Sequence, residues 1–70
     1  IASEQGRYEE AIQPLQKLIS IEPKHVNANH ALGMIYARMG NKTAAMQQYY
    51  ILQTLDARVA ADLLKAIPNQ

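Results

Sequence analysis

Two histidines, His25 and His30, and two adjacent glutamates, Glu9 and Glu10, are the residues whose types most readily suggest chemistry. Imidazole nitrogens bind zinc or move protons, and paired carboxylates can serve as acid and base. On a helix, however, positions five residues apart diverge by roughly 140°, and neighbouring positions point apart. The chain has no Cys, and no carboxylate follows either histidine at the spacing that would complete a metal site. We therefore expect surface histidines, no metal, no cofactor and no enzyme activity.

The composition is that of a small folded chain rather than a disordered one. Of its 70 residues, 49% are hydrophobic and 19% are charged, which favours a globular domain. A net charge of +1 gives no strong field to attract nucleic acid or an anionic membrane. No apolar run approaches the roughly 20 residues that a membrane span needs. We expect neither a nucleic-acid partner nor membrane insertion.

The chain begins at Ile1 with no methionine and no signal-peptide pattern, and we interpret it as a piece of a longer protein. The sequence does not determine the compartment, although the cytoplasm is slightly favoured.

Helical spacing, rather than strand alternation, organises the apolar residues. Four sets recur at intervals of three and four: Ala11, Ile12, Leu15, Leu18 and Ile19; Ala28, Leu32, Ile35, Tyr36 and Met39; Ala45, Met46, Tyr49 and Leu52; and Val59, Ala60, Leu63, Leu64 and Ile67. Such spacing predicts an all-α fold of about four helices. The first begins near Arg7 and is mildly kinked at Pro14, and the second runs from about Lys24 to Met39.

The breaks between these helices have local causes. Gly6 and Gly40 can take the left-handed conformation that ends a helix. Pro23 suits the first turn of a new helix, where its missing N–H costs nothing. Asp56 can cap the fourth helix by accepting backbone N–H bonds, and Pro68 would end it.

An internal repeat relates the two halves of the chain. A shift of 34 residues places Gly6 on Gly40, Ala11 on Ala45, Leu15 on Tyr49, Leu18 on Leu52 and Ile21 on Leu55. The segments "GRYEEAIQPLQKLISIEP" and "GNKTAAMQQYYILQTLDA" are therefore two copies of one unit.

A helical unit of this period resembles the tetratricopeptide repeat family. The family's signature residues are Leu32, Gly33, Tyr36, Gly40, Ala45 and Tyr49, preceded by a half-unit with Gly6, Tyr8, Ala11, Leu15 and Pro23. Two positions depart from the pattern: Asn29 stands where the family has a residue like tryptophan, and Ala57 replaces the closing proline.

This resemblance implies antiparallel helix pairs stacked as a short right-handed solenoid. Residues 1–23 would be the tail of one repeat, residues 24–55 a full repeat, and residues 56–70 a capping helix or the start of another repeat. Residues 1–5 would be the last turn of a preceding helix. Gly33 would allow a close helix approach around Ala45.

The resemblance also implies a function, which is to bind a partner peptide or protein in a concave groove without catalysis. On the second helix, the face beside the apolar stripe carries Asn27, His30, Met34 and Arg38. These side chains offer an amide, an imidazole, an adaptable thioether and a guanidinium that can clamp a carboxylate. We predict that these four residues contact the partner.

Alternatives remain at this point. The helices could form an architectural spacer or an oligomerisation segment of a larger protein, and a homodimer could form if Ala11, Leu15 and Leu18 lie partly bare. The turn "RMGNKTAA" also resembles that of a helix-turn-helix DNA-binding module. The helix after this turn carries only one cation, Lys42, which is too few for phosphate contacts.

Overall fold

The chain folds into four consecutive α-helices. The computed structural model describes residues 2–67, with side chains from residue 6 onward. The helices are α1 (Ala2–Ile21), α2 (Val26–Arg38), α3 (Lys42–Leu55) and α4 (Ala57–Ala66), and the described residues contain no strand. Short connections make neighbouring helices antiparallel, and α2 packs against each of the other three. Within residues 2–67, no helix is both long enough and apolar enough to cross a bilayer.

The turn between α2 and α3 forms as the sequence predicts. Gly40 has φ +77 and is the one residue of positive φ in the described part of the chain. Asn41 then caps α3, since its side-chain oxygen accepts a bond of 3.2 Å from the Ala44 N–H. A left-handed glycine followed by a capping asparagine both ends one helix and begins the next.

The start of α4 also agrees with the prediction. One carboxylate oxygen of Asp56 accepts bonds from the N–H groups of Arg58 and Val59, at 3.0 Å and 3.5 Å. Asp56 thereby satisfies two of the N–H groups that every helix leaves without partners in its first turn. Pro68, which was expected to end this helix, lies outside the described residues.

The predicted break at Gly6 is wrong. Helix α1 runs without interruption from Ala2, well before the expected start near Arg7, and residues 2–5 continue it rather than ending a separate helix. The residue after Gly6 is arginine, which has no acceptor atom with which to cap a new helix, whereas the residue after Gly40 is Asn41. An added Cβ at Gly6 would meet nothing within 4 Å, so no packed neighbour bends the chain there.

The start of α2 differs from the prediction as well. Pro23 lies in the turn before α2 and not in its first turn, because the helix begins at Val26 with His25 as its N-cap. Nδ1 of His25 accepts a bond of 3.0 Å from the Ala28 N–H. The imidazole therefore caps the helix, a role usually filled by the side chain of Ser, Thr, Asp or Asn. Pro14 lies inside α1 as expected.

The core lies where α2, α3 and α4 meet. Its buried residues are Ala37, Ala45, Leu52, Ala60, Leu63 and Ile67. The predicted stripes are only partly correct: Leu64 is 44% exposed, while α2 buries Asn29, Gly33 and Ala37 in addition to Ala28 and Leu32. The reason is that α2 is covered on several sides, so its buried face is wider than a single stripe.

Small residues allow this dense packing, and Gly33 is the clearest case. A Cβ added at Gly33 would lie 2.5 Å from Cδ2 of Leu63 and 3.1 Å from Cβ of Gln48. The expected close approach is therefore present, but the nearest neighbours come from α4 and α3 at Leu63 and Gln48 rather than from Ala45. The division of the chain at residues 23 and 56 into repeats stays a prediction.

Candidate functional site

The residues predicted to contact a partner lie along one side of α2, at its two exposed ends and at the border of its buried face. Asn27 and Arg38 are exposed at the two ends of the helix, and His30 and Met34 lie between them and are half-buried. At a rise of 1.5 Å per residue, the exposed ends are about 16 Å apart along the helix axis. The four side chains thus line one side of α2, but they are not equally accessible.

His30 is held at the junction of α2 and α4. Its Nε2 lies 3.2 Å from a carboxylate oxygen of Asp62, with the two side chains 29% and 66% exposed. The same nitrogen is shielded from solvent and makes no hydrogen bond, so the two groups are close without being aligned. Such a partly exposed pair adds little stability, but it places a carboxylate and an imidazole side by side on the surface.

Met34 has a different environment. It packs against the core formed by α2, α3 and α4, and only part of its side chain reaches the surface. A thioether in such a position can adjust its shape to an apolar group of a ligand. Arg38, by contrast, ends α2 with an exposed side chain and forms no ion pair with any described residue.

Helix α4 contributes a residue that was not among the predicted contacts. Asp62, whose carboxylate lies 3.2 Å from Nε2 of His30, borders the candidate surface, and its side chain is 66% exposed. Leu64 is also exposed, but two positions further along a helix a side chain points about 160° away, so Leu64 does not lie beside His30. No spacing in the sequence indicated the Asp62 contact, because it depends on how α4 packs against α2.

The second histidine, His25, has a structural role in capping α2 and lies beside a buried asparagine. Asn29 is 0% exposed, and its Nδ2 donates to the carbonyl oxygens of Pro23 and His25 at 3.1 Å and 2.8 Å. This amide fastens the turn between α1 and α2, which explains how a polar residue fits the position where the family has a large apolar one. Among the described residues, no three potential metal ligands lie together.

Comparison with known families identifies the architecture. The sequence model described as "TPR repeat" matches residues 3–40, and the model described as "Tetratricopeptide repeat" matches residues 26–57. The chain belongs to the tetratricopeptide repeat family. The two matches overlap over residues 26–40, so α2 ends the first match and begins the second. Searches of curated proteins and of solved structures gave no match.

The family assignment defines the architecture and the general kind of activity. The four helices form an all-α helical-repeat solenoid of about two tetratricopeptide repeats. Repeats of this family generally mediate protein–protein interaction and are not catalytic. The family does not specify which surface of this chain binds a partner. The side chains on α2 and α4 are the basis for choosing one.

Proposed function

We propose that this tetratricopeptide repeat chain binds a peptide segment of a partner protein and catalyses no reaction. The bound segment lies across α2 and α4 and contacts Asn27, His30, Met34 and Arg38. The observation that carries the proposal is that exposed Asn27 and Arg38 flank half-buried His30 and Met34 along one side of α2, next to Asp62 of α4.

The dimensions of this surface suit a short extended peptide. An extended chain advances about 3.3 Å per residue, so the roughly 16 Å between Asn27 and Arg38 corresponds to about five peptide residues. The exposed guanidinium of Arg38 favours a carboxylate at one end of the segment, since arginine can bind both oxygens at once.

Preformed side chains would reduce the entropic cost of binding. His30 is restrained by α4 and Met34 by the core, so fewer rotamers have to be ordered when the peptide arrives. The amide of Asn27 can bond to the peptide backbone in either direction, which favours recognition of an extended chain.

The test is an NMR titration of the 70-residue chain with a library of pentapeptides that vary in end charge and apolar content. We expect chemical-shift changes that cluster on the four α2 residues and on Asp62, with acidic peptides binding most tightly. Changes centred on the outer face of α3, at Thr43, Gln47 and Thr54, would refute the assignment of the surface. No binding at all would favour the architectural spacer.

A matched pair of substitutions tests the role of the guanidinium. Arg38→Gln should weaken binding of an acidic peptide by about tenfold, as loss of a charged hydrogen-bond donor predicts. Arg7→Gln removes the same group from an exposed position on α1, outside the proposed surface, and should leave the affinity unchanged. Equal effects of the two substitutions would show that only the net charge matters.

A further inference from the structure

Two unlike charges flank the surface of α2 on which the peptide is proposed to lie. At one end of this surface, Arg38 closes α2 with an exposed guanidinium. At the other end, the carboxylate of Asp62 reaches from α4 to within 3.2 Å of Nε2 of His30. Arg38 has a role in the function proposed above, whereas Asp62 has none.

The carboxylate of Asp62 is available to a ligand. Its side chain is 66% exposed, and the His30 nitrogen beside it makes no hydrogen bond. Arg58 and Lys65 lie about one turn before and one turn after Asp62 on α4. Both are exposed, and neither forms an ion pair with it. An anionic group without a cationic partner among the described residues, at the border of the proposed surface, favours a cationic group on the ligand by charge complementarity.

The side chains that lead from His30 to Arg38 have a regular spacing. His30, Met34 and Arg38 are four residues apart, so each lies about 6 Å further along the helix axis than the one before. In an extended peptide, the side chains on one face recur at every second residue, about 6.6 Å apart. The two spacings nearly coincide over this short distance. Three alternate side chains of a peptide can therefore lie above His30, Met34 and Arg38 in turn.

We propose that the peptide bound here carries a cationic side chain, an apolar side chain and an acidic side chain at alternate positions. The cation pairs with Asp62 beside His30, the apolar side chain packs on Met34, and the carboxylate binds Arg38. This proposal rests on the function proposed above and narrows its ligand to the pattern cation–x–apolar–x–carboxylate. The two residues marked x face solvent.

Three pentapeptides, acetylated and amidated at their ends, test the pattern in an NMR titration of the 70-residue chain. KSLEE has the three groups at its first, third and fifth positions, QSLEE lacks the cation, and SKLEE has the composition of KSLEE with the lysine moved to a position that faces solvent. KSLEE should bind about threefold more tightly than either of the others, as expected for one ion pair on an exposed surface. General attraction to a chain of net charge +1 would instead favour QSLEE, which is the most negative of the three.

Substitution of Asp62 tests the partner of the lysine. Asp62→Asn should abolish the preference for KSLEE and leave the affinity for QSLEE unchanged. Asp62→Lys should reverse the preference, so that QSLEE binds more tightly than KSLEE and ESLEE more tightly than QSLEE. Glu9→Gln is the matched control, because it removes a negative charge from an exposed site on α1, a helix that does not contact α4 within the described residues. This control should retain the preference for KSLEE.

The ε-methyl resonance of Met34 tests the position of the apolar group without any substitution in the chain. Titration with KSLEE should shift this resonance, because the leucine packs on the thioether. KSSEE, in which serine replaces the leucine, should leave the resonance nearly unchanged. Equal shifts with the two peptides would contradict the proposed contact.

The remaining outcomes each decide against the proposal. Equal affinities for KSLEE and SKLEE would show that the peptide side chains do not alternate in the proposed way. If Asp62→Asn weakens QSLEE as much as KSLEE, Asp62 only holds His30 in place. If QSLEE binds at the predicted residues and the lysine adds nothing, this proposal fails while the proposed function stands. If none of the peptides binds, both fail.

Discussion

Replacing Gly33 by alanine tests how closely α4 packs against α2. The added methyl group would lie 2.5 Å from Cδ2 of Leu63, whereas carbon atoms in good contact are about 3.5–4.0 Å apart. Leu63 must therefore move by about 1 Å, although it is completely buried. Its movement has to be transmitted to the rest of the core.

Two opposing terms give the expected magnitude. Alanine in place of a mid-helix glycine contributes about 1 kcal/mol of helix propensity. Overpacking of a dense core costs about 1–3 kcal/mol. We expect a net loss of about 1 kcal/mol, which lowers the melting temperature of a domain of this size by about 4–8 °C.

The chain provides its own control in Gly6. This glycine also lies inside a helix, but an added Cβ would meet nothing within 4 Å. Gly6→Ala should therefore gain up to about 1 kcal/mol, less if the start of α1 is frayed. Urea denaturation followed by circular dichroism measures both variants. If Gly33→Ala stabilises the chain as much as Gly6→Ala does, the argument from close packing is wrong.

A double-mutant cycle identifies the residue responsible. Leu63→Ala alone should cost about 2–5 kcal/mol because it leaves a cavity. Combined with Gly33→Ala, the cost should be smaller than the sum of the two by at least about 1 kcal/mol, since the new methyl group no longer meets a leucine. Simple additivity would show that Gln48, and not Leu63, limits the space.

Three further substitutions can be measured in the same way. Ala45→Leu should overpack a completely buried site and cost about 1–3 kcal/mol, whereas Ala57→Leu at an exposed site should change stability by less than about 0.5 kcal/mol. His25→Ala should lose the α2 cap and cost about 1 kcal/mol, while His25→Asn should retain it; equal stabilities would show that the cap contributes nothing. Asn29→Ala should cost about 1–3 kcal/mol because the carbonyls of Pro23 and His25 lose their donor. An unchanged midpoint would mean that these bonds do not hold the turn.

Features decided by local chemistry could be predicted from the sequence. Gly40 was predicted to end a helix and Asp56 to begin one, and each does so with its own backbone conformation or side chain. The 34-residue period could be found from the sequence, and it identified the family, because it is a recurrence of residue types and requires no knowledge of contacts between helices. The same argument was wrong at Gly6. A glycine allows a helix to end, but the helix ends there only if a capping residue or a packed neighbour also favours it.

Features decided by contacts between distant residues could not be predicted. No rule of spacing indicates that Leu63 fills the space beside Gly33, or that Asp62 lies against His30, because both depend on how α4 packs. His25 was not expected as a cap because histidine rarely has this role. For the candidate site, the sequence placed four residues on one side of α2, but their unequal burial follows from the position of α4.

The amide of Asn29 has a mechanical consequence. One of its two hydrogen bonds, to the carbonyl oxygen of Pro23, ties α2 to the segment that leaves α1, and the other goes to His25, the N-cap of α2 itself. A rotation of α1 relative to α2 that moves Pro23 would have to break the first bond in a site closed to water. We therefore expect the connection between α1 and α2 to be rigid, so that the angle between the two helices changes little. Bending of the chain would then occur within a helix such as α1, where Pro14 lacks the N–H that would form a backbone hydrogen bond.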